Sequence, residues 1–154
     1  MKAKAIALTV FLVFVSVAMG FQNNSQLGTW KLNEAKSKFA GKARNHTVIY
    51  EAVGDQIKIT VDGVDDSGGA VHNEWTGKFD GQDYPVTGDG KVDARSYRKI
   101  GKNTLELTNK KDGKATLTGR IVISRYGKTR TVTTTTTDEQ GKNVTNIAVY
   151  DKHK

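Results

Sequence analysis

The stretch Ile57-Lys58-Ile59-Thr60-Val61-Asp62 alternates apolar and polar residues without a break. In an extended chain successive side chains point to opposite faces, so Ile57, Ile59 and Val61 share one face and Lys58, Thr60 and Asp62 the other. That is a strand with one face buried. The same period runs outward in both directions. Val71, Trp75 and Phe79 oppose His72, Glu74, Thr76 and Lys78, and Leu105 and Leu107 oppose Thr104, Glu106 and Thr108. Further on, Leu117, Ile121 and Ile123 oppose Thr116, Thr118 and Arg120, and Ile147 and Val149 alternate with Ala148 and Tyr150. Thr133–Thr137 reads as a strand with hydroxyls on both faces, threonine being a good strand former.

Turn signals separate these runs. They include Gly54-Asp55, Asp80-Gly81, Gly88-Asp89-Gly90, Asp112-Gly113 and Gln140-Gly141. Glycine supplies the positive φ of tight hairpins. The single proline, Pro85, marks a strand edge or turn. The spacing predicts about nine strands in an antiparallel meander closed as a barrel or packed as a sandwich. Asn33 is a good N-cap and Glu34 suits a first turn, which predicts one or two helical turns over Asn33–Phe39.

The N-terminus has a different composition. Lys2 and Lys4 precede an apolar run from Ile6 to Val17, followed by the small residues Ala18 and Gly20. This is the pattern of a secretory signal peptide, and the run is too short for the roughly 20 residues of a spanning helix. The expectation is a cleaved signal over residues 1–20, a single domain over 21–154, and a secreted or periplasmic location. Removing Lys2 and Lys4 lowers the net charge from +8 to +6, and apolar residues make up about 31% of what remains, low for a globular domain. A thin or partly polar interior follows. There is no cysteine, which excludes disulfides, thiolate metal sites and cysteine nucleophiles. The lysines are scattered, without a basic block interleaved with aromatics, so nucleic acid is not an expected partner. The mature chain carries no second apolar run for a membrane span, and a monomer is expected.

Leu27-Gly28-Thr29-Trp30-Lys31-Leu32-Asn33 places Gly-x-Trp on the first strand of a predicted up-and-down barrel. That motif resembles the lipocalin (calycin) signature. The longer string through Ala35-Lys36-Ser37-Lys38-Phe39, with Asp80–Gly88 and Ala148–Lys152, resembles small exported bacterial proteins of lipocalin-like type. The resemblance covers nearly all of residues 27–152. It implies that Gly28 and Trp30 are structural, the tryptophan closing one barrel end beneath a basic side chain from a late strand. A tryptophan two residues after a strand-opening glycine also reads as core on its own.

No convergent catalytic constellation is evident. His46 and His72 lie on different predicted strands and His153 is in the tail. His72 and Glu74 share a face, but it also carries Thr76 and Lys78 and reads as solvent-exposed. Asp62, Asp65 and Asp66 cluster without the spacing of a calcium loop, as an acidic hairpin turn would. The reading is therefore of a non-enzyme without cofactor or metal. More informative are polar residues on apolar faces. Asn73 lies between Val71 and Trp75, and Ser96 and Arg98 lie between Ala94 and Ile100, so alternation aims all three inward. A buried Arg98 needs a partner. It would be a ligand carboxylate or phosphate, or else Arg98 caps a barrel end, over Trp30 or against carbonyls. Trp75, Phe79 and Tyr50 would be apolar walls or core. The expected function is to hold a small hydrophobic or amphipathic ligand inside the barrel. The alternative is an envelope module without an interior ligand, which binds polysaccharide, lipid head groups or protein through its outer surface.

Overall fold

The computed structural model describes residues 24–154. The segment read as a signal peptide lies outside the described residues. Ten strands follow one another: β1 (Gly28–Leu32), β2 (Arg44–Val53), β3 (Gln56–Val64), β4 (Ala70–Gly77), β5 (Tyr84–Thr87), β6 (Ala94–Gly101), β7 (Thr104–Lys111), β8 (Lys114–Ile123), β9 (Thr129–Thr137) and β10 (Asn143–His153). Each is antiparallel to its neighbours, and β1 pairs with both β2 and β10, which closes the ring. The expected barrel is thus an up-and-down one. The helical expectation reduces to a single 3-10 turn, Glu34–Lys36, capped by the Asn33 side chain accepting from the Lys36 amide. No helix among the described residues is long and apolar enough to cross a membrane.

The meander gives the barrel two unlike ends. One holds residues 24–27, the tight β2–β3 and β6–β7 turns and the β4–β5 and β8–β9 connections; the other holds the long β1–β2 loop, the β3–β4, β5–β6 and β9–β10 loops and the tight β7–β8 turn. The first end is closed by Trp30, which is fully buried and donates from Nε1 to the Gln26 carbonyl at 2.8 Å. The Lys152 ammonium, from β10, sits 5.0 Å from the Trp30 ring centroid. A basic side chain from the last strand thus lies over the tryptophan ring. At the other end a bulge between Asn45 and Thr47 shifts the register of β2 against β3. Gly63 permits it: a Cβ there would lie 2.0 Å from the Arg44 carbonyl oxygen.

In the same half of the barrel the interior is aromatic. Trp75, Tyr97, Phe79 and Tyr50 pack with centroid separations of 4.8–6.5 Å, mostly edge to face. Such pairs add about 0.5–1.5 kcal/mol beyond area burial. Trp75 Nε1 donates to the Arg95 carbonyl, so the ring is satisfied as well as buried. Ile57, Ile59, Val61, Leu105, Leu107, Ile121 and Ile123 complete the core on the faces that alternation assigned.

Alternation failed on β6. Arg95 and Tyr97 are its buried residues, whereas Arg98 is exposed and Ser96 only half-buried. The Arg98 side chain is 62% accessible and its Nε donates to Glu106 Oε2 at 3.0 Å on the outer face. The inward expectation for Ser96 and Arg98 is corrected by one residue. Ile100, whose apolar character set the wrong phase, lies in a register shift between Lys99 and Gly101 and is itself exposed.

Candidate functional site

Toward the open end the aromatic filling stops and the interior becomes hollow. A cleft of about 660 Å³ at the mouth is lined by Val64, Val71, Asn73, Val92, Arg95 and Asn109, among others. A side recess of about 210 Å³ lies beneath Phe39 and Arg44 and reaches Val132, Ala148 and Tyr150. An inner chamber of about 90 Å³ lies between Arg95, Tyr97, Leu107, Arg130 and Tyr150. Leu117 and Asn45 line all three, so these spaces adjoin one another.

Two arginines bracket the inner chamber. Arg95 comes from the mouth end of β6. Its Nε donates to Asn109 Oδ1 at 2.6 Å and its Nη1 to Asn73 Oδ1 at 3.4 Å, so neutral amides hold it. Arg130 comes from the start of β9, nearer the closed end, and is 3% exposed. Its Nη2 donates to the Tyr50 hydroxyl oxygen at 2.5 Å, and its guanidinium lies 4.7 and 5.4 Å from the Tyr50 and Tyr150 ring centroids. Arg130 Nε and Nη1 are buried and have no partner among the protein's own atoms.

No internal anion neutralises this pair. Neither arginine forms an ion pair among the described residues, and no Asp or Glu there is buried. Burial raises the Tyr50 hydroxyl far above its ordinary 10.0, with the Arg130 charge opposing only in part, and burial raises Tyr150 likewise. Both phenols stay neutral. Guanidinium is always protonated in proteins, so the interior carries uncompensated positive charge beside an adjoining hollow.

No protein-family model and no curated protein matches this chain.

Of the residues expected to bind a ligand, Asn73 alone lines a hollow, at the mouth. Trp75, Phe79 and Tyr50 belong to the packed aromatic half, Tyr50 touching the site through Arg130. Ser96 and Arg98 are on the outer phase of β6. Sequence reasoning missed Arg95 and Arg130. The signal for Arg130 was present: Val132 is the one apolar residue of β9, and Arg130 shares its phase two residues earlier.

The clusters outside the barrel are otherwise engaged. His72 Nδ1 lies 2.6 Å from Asp62 Oδ1 on the exposed face, with Glu74 at 4.0 Å from Nε2. Asp65 accepts from the Ser67 and Gly69 amides within its own turn, and Asp66 accepts from the Lys42 and Ala43 amides. The acidic cluster thus ties the β3–β4 turn to the β1–β2 loop over the mouth.

Proposed function

We propose that this is an exported binding protein that holds a small amphipathic molecule inside its barrel, and that it is not an enzyme. The observation that carries the reading is the adjoining set of hollows reaching from the mouth to Arg130. Small-ligand sites are mostly apolar with a few placed polar groups, in spaces of roughly 300–1,000 Å³. The mouth cleft, about 660 Å³, falls in that range, and Leu117, Val132, Ala148 and Phe39 give apolar wall beside Asn73, Asn109 and the arginines. Asp65, Asp66 and Asp89 stand at the mouth, but the inner chamber has guanidinium, amide and phenol without a carboxylate, which favours holding over acid–base work.

The test is native mass spectrometry of the protein secreted by its own host, compared with a Leu117→Trp variant whose indole fills the point where the hollows meet. A co-purifying amphiphile present on the wild type and absent from the folded variant supports the reading. Equal, empty masses after exposure to a lipid and fatty-acid panel would sink it.

One observation favours an outer-surface role instead. Thr108, Thr118, Thr135 and Thr145 stand side by side across β7, β8, β9 and β10, a polar row suited to a polysaccharide. Retention on a polysaccharide column, lost when Thr118 and Thr135 become lysine, would favour it.

A further inference from the structure

Resting on the carrier reading, we propose that the ligand is a carboxylate-headed amphiphile that enters head first, its carboxylate seated on Arg130 at the bottom of the hollow and its apolar part lying back toward the mouth. The placement of charge argues for this direction: Arg95 and Arg130 bracket the innermost space, whereas the carboxylates that line these hollows, Asp65, Asp66 and Asp89, all stand at the mouth. The deepest open space, about 90 Å³, is the one between the two arginines and holds little more than a head group. The wider spaces above it, about 210 and 660 Å³, have the aliphatic walls of Leu117, Val132 and Ala148 in the recess and Val64 and Val71 at the mouth.

The guanidinium has the right edge free. Nη2 carries two protons and Tyr50 takes one, while Nε and Nη1 are buried without partners. One two-proton edge, either Nε with Nη2 or Nη1 with Nη2, therefore remains whole. Such an edge fits a planar carboxylate with two parallel hydrogen bonds. The guanidinium is held over the Tyr50 and Tyr150 rings and by the Tyr50 hydroxyl, so little ordering remains to be done on binding. Arg95 adds a second positive charge on the mouth side of the chamber while its amide partners fix its direction.

The experiment is calorimetric titration of the wild-type protein with decanoate, decanol, decyl phosphate and decyltrimethylammonium, repeated on Arg130→Met and Arg130→Lys. Decanoate is expected to bind at least about tenfold more tightly than decanol and than decyl phosphate, with no binding of the cation, the scale of one charge-assisted pair. Arg130→Met should weaken decanoate at least about tenfold and leave decanol unchanged. Arg130→Lys, which keeps charge and loses the fork, should weaken decanoate as well, and circular dichroism checks that both variants fold. A nitroxide at the far end of the chain should broaden amides around Ala43 and Gly90 and spare those around Trp30. Equal binding of decanol and decanoate, a preference for decyl phosphate, or broadening at Trp30 would overturn the proposal while the carrier reading stood. Binding of none of the probes would overturn both.

Discussion

Arg130 holds a full charge in a place where charge is costly. Taking an ion out of water costs several kcal/mol even after relaxation, and the Tyr50 and Tyr150 faces return about 0.5–2 kcal/mol each. Its removal should therefore stabilise the fold, provided the Tyr50 hydroxyl is not orphaned in its place. The double variant Arg130→Met, Tyr50→Phe is expected to gain roughly 1–3 kcal/mol over the wild type in urea unfolding. The single Arg130→Met variant should gain less, because an unpartnered buried hydroxyl costs about 1–3 kcal/mol. If the double variant unfolds at lower urea than the wild type, the guanidinium is a structural strut and the argument for a ligand seat is lost.

At the scale of the element, β5 is the weak stave. It is the shortest of the ten, it carries Pro85, and it pairs at two positions with β4 and two with β6. Its amides, and those of Gly88–Val92 after it, should lose hydrogen-exchange protection first among the strand regions, well before β8 and β9; equal protection around the ring would refute that ranking. How far each strand was legible follows from its side chains. β3 and β7 carry two or three aliphatic residues in one phase and were assigned correctly, and so was the meander that joins them. β6 has one strong marker, Tyr97, flanked by Arg95 and Arg98 at unequal distances, and Ile100 beyond the register shift pulled the reading out of step. β9 is mostly threonine, which is at home on either face. Val132 gives its phase, but with one marker in nine residues the inward Arg130 was hidden. The hollow itself was not legible at all, because cavity volume depends on where strands at opposite sides of the ring fall relative to one another.

For the whole molecule, buried phenols couple stability to alkaline pH. Tyr50 and Tyr150 have folded pKa values raised by burial, while in the unfolded chain a phenol ionises near 10.0. The folded state therefore binds more protons above that value. Stability from this source is fully present below about pH 10 and is lost as pH rises beyond it, with a slope near 1.4 kcal/mol per pH unit for each tyrosine once the unfolded phenols are ionised. Urea midpoints measured on both sides of pH 10 should fall on the alkaline side, less steeply in Tyr50→Phe. Phenolate absorbance should rise in step with unfolding for these two residues. An unchanged slope in Tyr50→Phe would remove Tyr50 from the account.

The ring closes between β1 and β10, with Thr29 opposite His153 and Leu32 opposite Tyr150. During synthesis β1 emerges first of the ten and its second neighbour last. Until residues 143–153 leave the ribosome, both β1 and β9 present an open edge, and no amount of local hairpin formation can seal it. The barrel thus has a built-in schedule. Its nine earlier strands wait as an unsealed sheet, exposed to stray pairing with other chains, and the finished shape arrives in a single late step. A chain built this way stays threadable until its final strand appears, and then becomes hard to pull apart from either end.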